Sequence, residues 1–308
     1  MCMNKHQAKY RQRQQGFSLL EMMLALAIGL LVIVAVSAIF MQGKRTLNLQ
    51  LQQSELQQNS IFGFSALVQE LRQIQLGLER AGVVLSANDF QLSSASVDSQ
   101  LLTIAEQQSS LYNVFNDQLT IQYVPVYTEV DDNHDGMIDK IETQASDCEG
   151  TGLSATKDQG LMTKFVNVQR YFVQRVAGSS PVRYALYCDA GRYIKDENTI
   201  YGLGSNAQML IPNVELFKVR LLVKNTEHQI QQYMDIKQYQ ASRASHLQIV
   251  AIELAMIARS TSKSAEQVTQ DSFTLLGQNV VLKNKSDNYL REVYSQVVSI
   301  RNNSSDEQ

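Results

Sequence analysis

The longest apolar stretch of the chain lies near its N-terminus and predicts a membrane-spanning helix. From Met22 to Met41 the sequence is almost wholly apolar and reads MMLALAIGLLVIVAVSAIFM. Twenty helical residues extend about 30 Å, which is the thickness of the hydrocarbon core of a bilayer. A basic segment precedes this stretch, and only Lys44 and Arg45 follow it closely. The positive-inside rule therefore predicts a cytoplasmic N-terminus and a body outside the membrane.

An amphipathic segment, residues 43–82, continues the predicted helix without a proline. Apolar residues recur in it at gaps of three and four, which is the spacing of one helix face. They are Ile61, Phe64, Val68, Leu71 and Leu78, with Leu67 and Ile74 at adjoining positions. Glycine commonly ends helices, so we expect the helix to stop at Ala81-Gly82. Its first half would lie in lipid, and its second half would pack on a soluble body.

The periodicity changes from helical to alternating at about residue 100, which predicts a body rich in strands. The predicted strands are 119–124, 166–176, 182–187, 214–223, 247–258 and 293–300. The second and third form a hairpin across a Gly-Ser-Ser-Pro turn, and the long apolar run 247–258 is also compatible with a buried helix. A helix followed by many strands indicates the α+β class. We expect a long N-terminal helix packed on an antiparallel sheet body, residues 83–302, with a polar tail at 303–308.

Charge is unevenly distributed along the chain. The first 16 residues carry four basic side chains and no acid, so the formal charge of −3 becomes −7 without them. An acidic body argues against nucleic-acid binding, which needs a positive field.

Three cysteines occur, at positions 2, 148 and 188, and the first lies in the basic N-terminal segment. If that segment is removed, an even pair is left. We interpret Cys148 and Cys188 as a disulfide formed in an oxidising compartment. It would close a loop of about 40 residues and stabilise the fold by roughly 4 kcal/mol. Two buried free thiols are the alternative. Zinc is disfavoured because neither cysteine has another Cys or a His nearby at ligand spacing.

Residues 131–142 match a calcium-binding loop. They read DDNHDGMIDKIE and fit the pattern D-x-[DN]-x-[DN]-G-x5-E throughout. The predicted ligands are side-chain oxygens of Asp131, Asn133 and Asp135, the carbonyl of Met137, Asp139 directly or through water, and two oxygens of Glu142. Hard oxygen ligands in this number suit Ca²⁺ better than Mg²⁺. The flanking segments are strand-like, so we expect a lone loop, and the alternative is a solvated acidic turn without metal.

Catalytic patterns are missing from the sequence. The histidines, His6, His134, His228 and His246, are scattered, and no G-x-S-x-G, P-loop or H-E-x-x-H occurs. We therefore expect a protein that is not an enzyme.

One motif at the membrane edge resembles a known processing signal. The run Gly16-Phe17-Ser18-Leu19-Leu20-Glu21 resembles the type III signal of type IV pilins and type II secretion pseudopilins. The resemblance implies a leader, residues 1–16, that a prepilin peptidase removes between Gly16 and Phe17. It also implies N-methylation of Phe17 and a membrane and filament-core helix at 17–42.

Glu21 is the single charge at the start of the apolar run. A carboxylate at the edge of a membrane span is costly and is a functional candidate. The pilin resemblance makes it the fifth mature residue, where it could pair with the amine of a neighbouring Phe17 and set the axial register of a filament.

Two other interpretations of the N-terminus stay open. One is an ordinary secretory signal cleaved after Val36-Ser37-Ala38, and the other is a plain signal anchor. The apolar run is longer than a usual signal core, and neither alternative explains the motif around Gly16.

Two further stretches, 58–82 and 289–302, resemble PilW-type minor pilins. This resemblance implies an inner-membrane subunit with a periplasmic body that later enters a pilus at the cell surface. Its implied partners are prepilin peptidase, the major pilin, other minor pilins in a priming or tip complex, and the inner-membrane assembly machinery. The implied pilus functions are motility, adhesion or DNA uptake. A J-type minor pseudopilin of type II secretion is a close alternative, and a membrane-anchored, calcium-dependent adhesin is a more distant one.

Overall fold

The computed structural model describes residues 16–302, except 94–96, 108–109, 135, 137, 144, 154–155, 159–160, 245, 265–269 and 285–286. Residues outside this description are 1–15 of the predicted leader, including Cys2, the predicted calcium ligands Asp135 and Met137, and the tail 303–308.

Two α-helices and fifteen strands are assigned in the described part of the chain. The helices are α1, Leu19–Leu71, and α2, Ile236–Ser242. The strands are β1 Ile104–Gln107, β2 Asn116–Tyr123, β3 Thr128–Val130, β4 Lys140–Glu142, β5 Thr156–Asp158, β6 Leu161–Thr163, β7 Phe165–Arg175, β8 Tyr184–Ile194, β9 Gln208–Pro212, β10 Val214–Asn225, β11 Gln231–Asp235, β12 Leu247–Arg259, β13 Ser272–Leu275, β14 Gln278–Val281 and β15 Arg291–Ser299.

The strands form two main sheets and three separate hairpins. One sheet has the order β1-β2-β7-β8-β9, and the other has the order β11-β10-β12-β15. The hairpins are β3-β4, β5-β6 and β13-β14. Strand pairing is antiparallel throughout. The predicted α+β class with an antiparallel body is confirmed, and the ambiguous run 247–258 is a strand.

The chain separates into two units within α1, between Gln50 and Leu51. In the second unit, α1 buries a stripe that joins a core shared with both sheets. The stripe consists of Leu56, Ser60, Phe64, Leu67, Val68 and Leu71. Ile61, which we predicted on this face, is 51% exposed. Ser60 lies four residues before Phe64 and occupies that position of the stripe instead.

Helix α1 ends at Leu71, so the predicted stop at Ala81-Gly82 is wrong. After Leu71 several backbone amides donate to the carbonyl three residues earlier instead of four, and Gln75 adopts a positive φ of 68°. The Gln75 amide donates to the carbonyl of Gln122 in β2 at 3.1 Å. A Cβ at Gly82 would lie 2.5 Å from the Gln75 nitrogen. The chain leaves the helix to bond with the sheet, and Gly82 permits that close approach.

Two side chains of β2 accept hydrogen bonds from backbone amides of β10, in the part of β10 that does not pair with β11. The amide of Phe217 donates to Asn116 Oδ1 at 2.8 Å, and that of Val219 donates to Asp117 Oδ2 at 2.9 Å. Lys218 Nζ lies 2.6 Å from the Asp117 carboxylate, whose pKa burial raises. Buried amides are costly when unpaired, so these two side chains link the two sheets.

A buried carboxylate, Glu215, holds the start of β10 to the start of β15. It accepts a bond from Arg291 Nε at 2.7 Å and one from the Tyr112 hydroxyl at 2.7 Å. Arg259 also pairs with it, at 3.4 Å. Asp287 shares the charge of Arg291. Burial and the nearby Glu215 charge raise the pKa of Tyr112, which therefore stays a hydrogen-bond donor.

Replacing Glu215 with Ala should destabilise the protein by about 3–5 kcal/mol, because two buried guanidinium groups lose their shared carboxylate. Urea unfolding of the detergent-solubilised protein measures the change. Glu79→Ala is the control, since Glu79 pairs with Lys195 on the surface and its loss should change little. Equal stability of the two variants would contradict a central role for Glu215.

Candidate functional site

The N-terminal motif places its predicted cleavage position just before a capped helix. Ser18 caps α1, because its Oγ accepts from the Leu20 amide at 3.2 Å and its carbonyl accepts from the Met22 amide at 3.1 Å. The helix begins at Leu19, so Gly16 and Phe17 precede it. The side chain of Phe17 is 82% exposed. The Gly16–Phe17 peptide is thus outside regular structure, where a protease can bind an extended backbone.

The first half of α1 presents apolar side chains all round. Every large apolar side chain from Phe17 to Met41 is more than half exposed. Ser37 donates its hydroxyl to the Ile33 carbonyl at 2.8 Å, which satisfies the polar group within the helix. By length and composition only, α1 is the one helix among the described residues that could cross a membrane. Such a surface requires lipid or neighbouring helices as its solvent.

Glu21 lies in the first turn of α1 with its side chain exposed. A carboxylate in this position is favoured by the partial positive charge of the helix N-terminus. It is the only charged side chain between Phe17 and Met41. A cation brought next to it would therefore meet one unopposed negative charge at the start of the apolar helix.

The predicted calcium loop connects the two strands of the β3-β4 hairpin. Thr128 pairs with Glu142, so the last predicted ligand lies on β4 rather than in the loop. Asp131 Oδ2 accepts from the Gly136 amide at 2.8 Å, and Asp139 Oδ2 accepts from the Asp132 amide at 2.9 Å. Gly136 adopts a φ of 85°, as a sharp turn at that position requires.

Backbone hydrogen bonds thus hold two of the six predicted ligands, Asp131 and Asp139, in a closed loop. The described residues include no group of three or more His, Cys, Asp or Glu side chains placed to hold a metal. Two predicted ligands, Asp135 and Met137, fall outside the described residues. The arrangement is that of an ordered acidic turn in which carboxylates accept bonds from the loop's own amides.

The segment that follows the hairpin is bound to β8 by the predicted disulfide. Cys148 and Cys188 are joined, with their Cα atoms 6.1 Å apart, and Cys188 is fully buried in β8. Glu149 Oε1 accepts from the Ala190 amide at 3.0 Å, two residues further along the same strand. Burial raises the pKa of Glu149. A covalent bond and a hydrogen bond therefore attach this loop to the first sheet.

A buried polar cluster under α1 was not predicted from the sequence. Glu70 accepts from the Tyr123 hydroxyl at 3.4 Å and from Gln169 Nε2 at 3.3 Å, and Tyr171 donates to Gln169 Oε1 at 2.5 Å. Burial raises the pKa of Glu70, ahead of the opposing effect of these bonds. A sequence signal did exist, because Glu70 follows Val68 and precedes Leu71 on the buried side of the helix.

The comparisons with known proteins give two family matches. Residues 11–37 match the prokaryotic N-terminal methylation motif, and residues 170–302 match the type IV pilus-assembly protein W family. The two matches together support a PilW-type minor pilin. Its role is structural, in the assembly of type IV pili, and its N-terminal motif indicates membrane anchoring followed by incorporation into the pilus.

Two other comparisons accompany these matches. The search of curated proteins gives no match. A type IV-like pilin from Thermus thermophilus is 16% identical over 80% of this chain and 96% of its own, with a TM-score of 0.38. A score this low supports no further conclusion.

Some candidate site residues of this minor pilin lie inside the two family matches, and others lie between them. The methylation motif contains Gly16, Phe17 and Glu21, and the PilW match runs from β7 to the end of β15. Cys188 lies inside the second match, whereas Cys148 and the loop 131–142 lie between the two. The disulfide thus joins a strand of the family region to a segment outside it.

Removing the disulfide with Cys148→Ser and Cys188→Ser should cost about 2–5 kcal/mol of unfolding free energy. The double change avoids leaving a reactive thiol, and urea unfolding of the purified protein measures the loss. Cys2→Ser serves as the control, since Cys2 is not part of the cross-link. Unchanged stability in the double variant would show that the loop is held without the covalent bond.

Proposed function

We propose that this minor pilin joins other minor pilins in a complex that primes pilus assembly and caps the tip. Before assembly it would cross the inner membrane once, with a periplasmic body. The observation that carries the proposal is the match to the N-terminal methylation motif at the start of an apolar helix. From Leu19 to Met41 that helix has no polar face that water could solvate.

Orientation follows from the charges that flank the apolar helix. The leader carries four basic residues, and Lys44 and Arg45 follow the span. The larger positive charge stays in the cytoplasm. Prepilin peptidase would then cut between Gly16 and Phe17 on the cytoplasmic side and methylate Phe17, and the inner-membrane assembly machinery would draw the subunit into the filament.

Assembly would bury Glu21 among the helices of neighbouring subunits. An isolated carboxylate in such surroundings costs several kcal/mol, whereas a carboxylate paired with an amine is held in place. Cleavage creates that amine on the Phe17 of a neighbouring pilin subunit. The pair would form in one axial register only. It would therefore fix the axial position of the subunit among its neighbours, which apolar packing alone does not specify.

Mass spectrometry of the mature N-terminus tests this function. Filaments sheared from the cell surface should yield peptides that begin at N-methylated Phe17. A mature start at Ile39 would indicate an ordinary secretory signal, and an intact leader confined to membranes would indicate an anchored binding protein. Either result would overturn the proposal.

A deletion strain separates the two filament systems. Loss of surface pili, with the accompanying loss of motility, attachment or DNA uptake, supports the minor pilin. Loss of exoprotein secretion with normal pili would instead assign the chain to a type II secretion pseudopilus.

Glu21→Ala should leave processing intact but reduce the amount of surface pili severely, because the unpaired Phe17 amine would be buried. Immunoblots of sheared filaments and of membranes measure assembly and cleavage separately. Glu55→Ala is the matched control, as Glu55 is an exposed acid on the same helix beyond the apolar half. Normal piliation in the Glu21 variant would refute the pairing.

We also propose that the loop 131–142 binds Ca²⁺ and stiffens the β3-β4 hairpin. The match to the loop pattern supports this, as do the closed turn held by Asp131 and Asp139 and the position of Glu142 on β4. Calcium would replace loop amides as the partner of these carboxylates. Sites outside the cell bind at about 10⁻⁴–10⁻³ M, so even a weak site would fill there.

The stiffened hairpin would act through the segment that follows it. Only five residues separate Glu142 from Cys148, which is bonded to the buried Cys188 of β8. This short segment would be held by the calcium-bound hairpin at one end and by the disulfide at the other. It would then present a fixed surface to partner subunits.

Calcium at about 2 mM should stabilise the wild-type protein by about 0.6–1.8 kcal/mol for affinities in that range. The variant Asp131→Ala with Asp135→Ala should lose this effect, as measured by thermal unfolding with calcium or with a chelator. Asp132→Ala is the control, because position two of the loop supplies no ligand. Unchanged thermal stability of the wild-type protein in calcium would show that the loop is an acidic turn without a metal site.

A further inference from the structure

The two main sheets have four edge strands, and β15 differs from the other three. β1 has an irregular register against β2 and carries Glu106, which pairs with Lys237. β9 contains Pro212 and an irregular register against β8. β11 is five residues long and runs directly into α2. Short strands, charges, prolines and irregular register are the usual means of protecting an edge from unwanted pairing.

β15 has none of these protections over most of its length. It pairs with β12 in an unbroken register of nine residues, from Arg291 opposite Arg259 to Ser299 opposite Ala251. The sequence from 293 to 300 reads VYSQVVSI and contains no charge, proline or glycine. In the part of the chain that the structure describes, no strand is hydrogen-bonded to the other side of β15.

Hydrogen-bond parity shows which residues of β15 turn their backbone outward. The Ile300 amide donates to the Val250 carbonyl at 2.9 Å, and the Ser260 amide donates to the Leu290 carbonyl at 2.8 Å. Bonded and non-bonded pairs alternate in an antiparallel ladder. The even-numbered residues from 290 to 300 therefore bond to β12. The N–H and C=O groups of Val293, Ser295, Val297 and Ser299 point away from it.

Three of the four outward residues have small, uncharged and accessible side chains, whereas Val293 packs against a second core cluster. Ser295, Val297 and Ser299 are exposed, and Val297 is 44% exposed. The even-numbered side chains lie on the opposite face, where Val298 and Tyr294 pack into the core beneath α1. A strand added at this edge would meet a row of alternating Val and Ser without disturbing the contacts of the helix.

We propose that β15 is a docking edge that accepts an uncharged, extended strand from a different pilin subunit in the same filament. The proposal rests on the assembly function proposed above, which supplies pilin subunits as neighbours. The body is acidic once the leader is removed, so charge repulsion disfavours a second copy of this chain as the partner. An uncharged strand pairs with β15 without introducing a buried, unpaired charge.

Photo-crosslinking in whole cells tests the edge on the full-length protein. A photoreactive p-benzoylphenylalanine at Ser295 should give an adduct with another pilin subunit in cells that assemble pili. Mass spectrometry of the adduct names the partner strand. The same probe at Gln232 in β11 is the control position, because it is exposed on the other edge of the same sheet.

Val297→Pro removes one outward N–H without breaking a bond to β12, since proline is tolerated where an edge N–H faces solvent. It should reduce the Ser295 adduct at least fivefold and lower piliation. Gln231→Pro, at an outward N–H of β11 by the same parity from the Asn225–Ile230 bond, should do neither. If Val297→Pro fails to accumulate with its disulfide formed, Val297→Lys tests the edge by charge alone and should reduce the adduct similarly.

The outcomes separate this inference from the proposed function. An adduct with another pilin that is lost in the Val297 variants supports the docking edge. No adduct, an adduct with a second copy of this chain or with a non-pilin protein, or an adduct unaffected by those variants overturns it. The N-terminal peptide beginning at methylated Phe17 in sheared filaments reports on the function alone, so its absence would refute the function whatever the crosslink shows.

Discussion

The body of this minor pilin is organised around one buried helix face. From Phe64 to Leu71, α1 places one stripe of side chains in a core that both sheets share. Residues of both sheets belong to the same core, so the helix stripe and the two sheets bury one another. The same helix is apolar on all sides before residue 42. One continuous helix is therefore suited to an apolar environment in its first half and to packing on a water-soluble body in its second half. Its burial pattern changes from none to one-sided without a break in hydrogen bonding.

Buried charges add specificity where apolar packing gives none. Glu215 brings together Arg259 and Arg291, and Asp117 bonds to β10 while pairing with Lys218. Glu215 thus joins β10 to β12 and β15, and Asp117 joins β2 to β10 of the other sheet. A buried ion pair adds little net stability compared with an apolar pair, but breaking one is costly. These contacts therefore select one arrangement of the strands, and an incorrect register would leave a charge unpaired.

The sequence predicted the long elements because their periodicity extends over many residues. The strands β2, β7, β8, β10, β12 and β15 were all anticipated, with boundaries displaced by up to seven residues. The three- to five-residue strands were missed, since an alternating pattern needs more positions than they have. The end of α1 was misplaced because Gly82 was taken as a helix stop, although it serves a close approach to Gln75. That approach depends on a tertiary contact with β2, which no local pattern contains.

The candidate sites differ in how far a local pattern can specify them. The predicted processing motif and the predicted calcium loop are contiguous, so the amino-acid sequence alone is enough to propose both, and the cysteine pair needs only a count. The edge of β15 is a different kind of feature. Its sequence is recognisable as a closing strand, but its exposure follows from strand order and its outward groups follow from register parity. Both are properties of the folded sheet. The PilW family match includes β15 and leaves out the loop 131–142. If β15 is an assembly edge, we expect it to be usable in other members of the family.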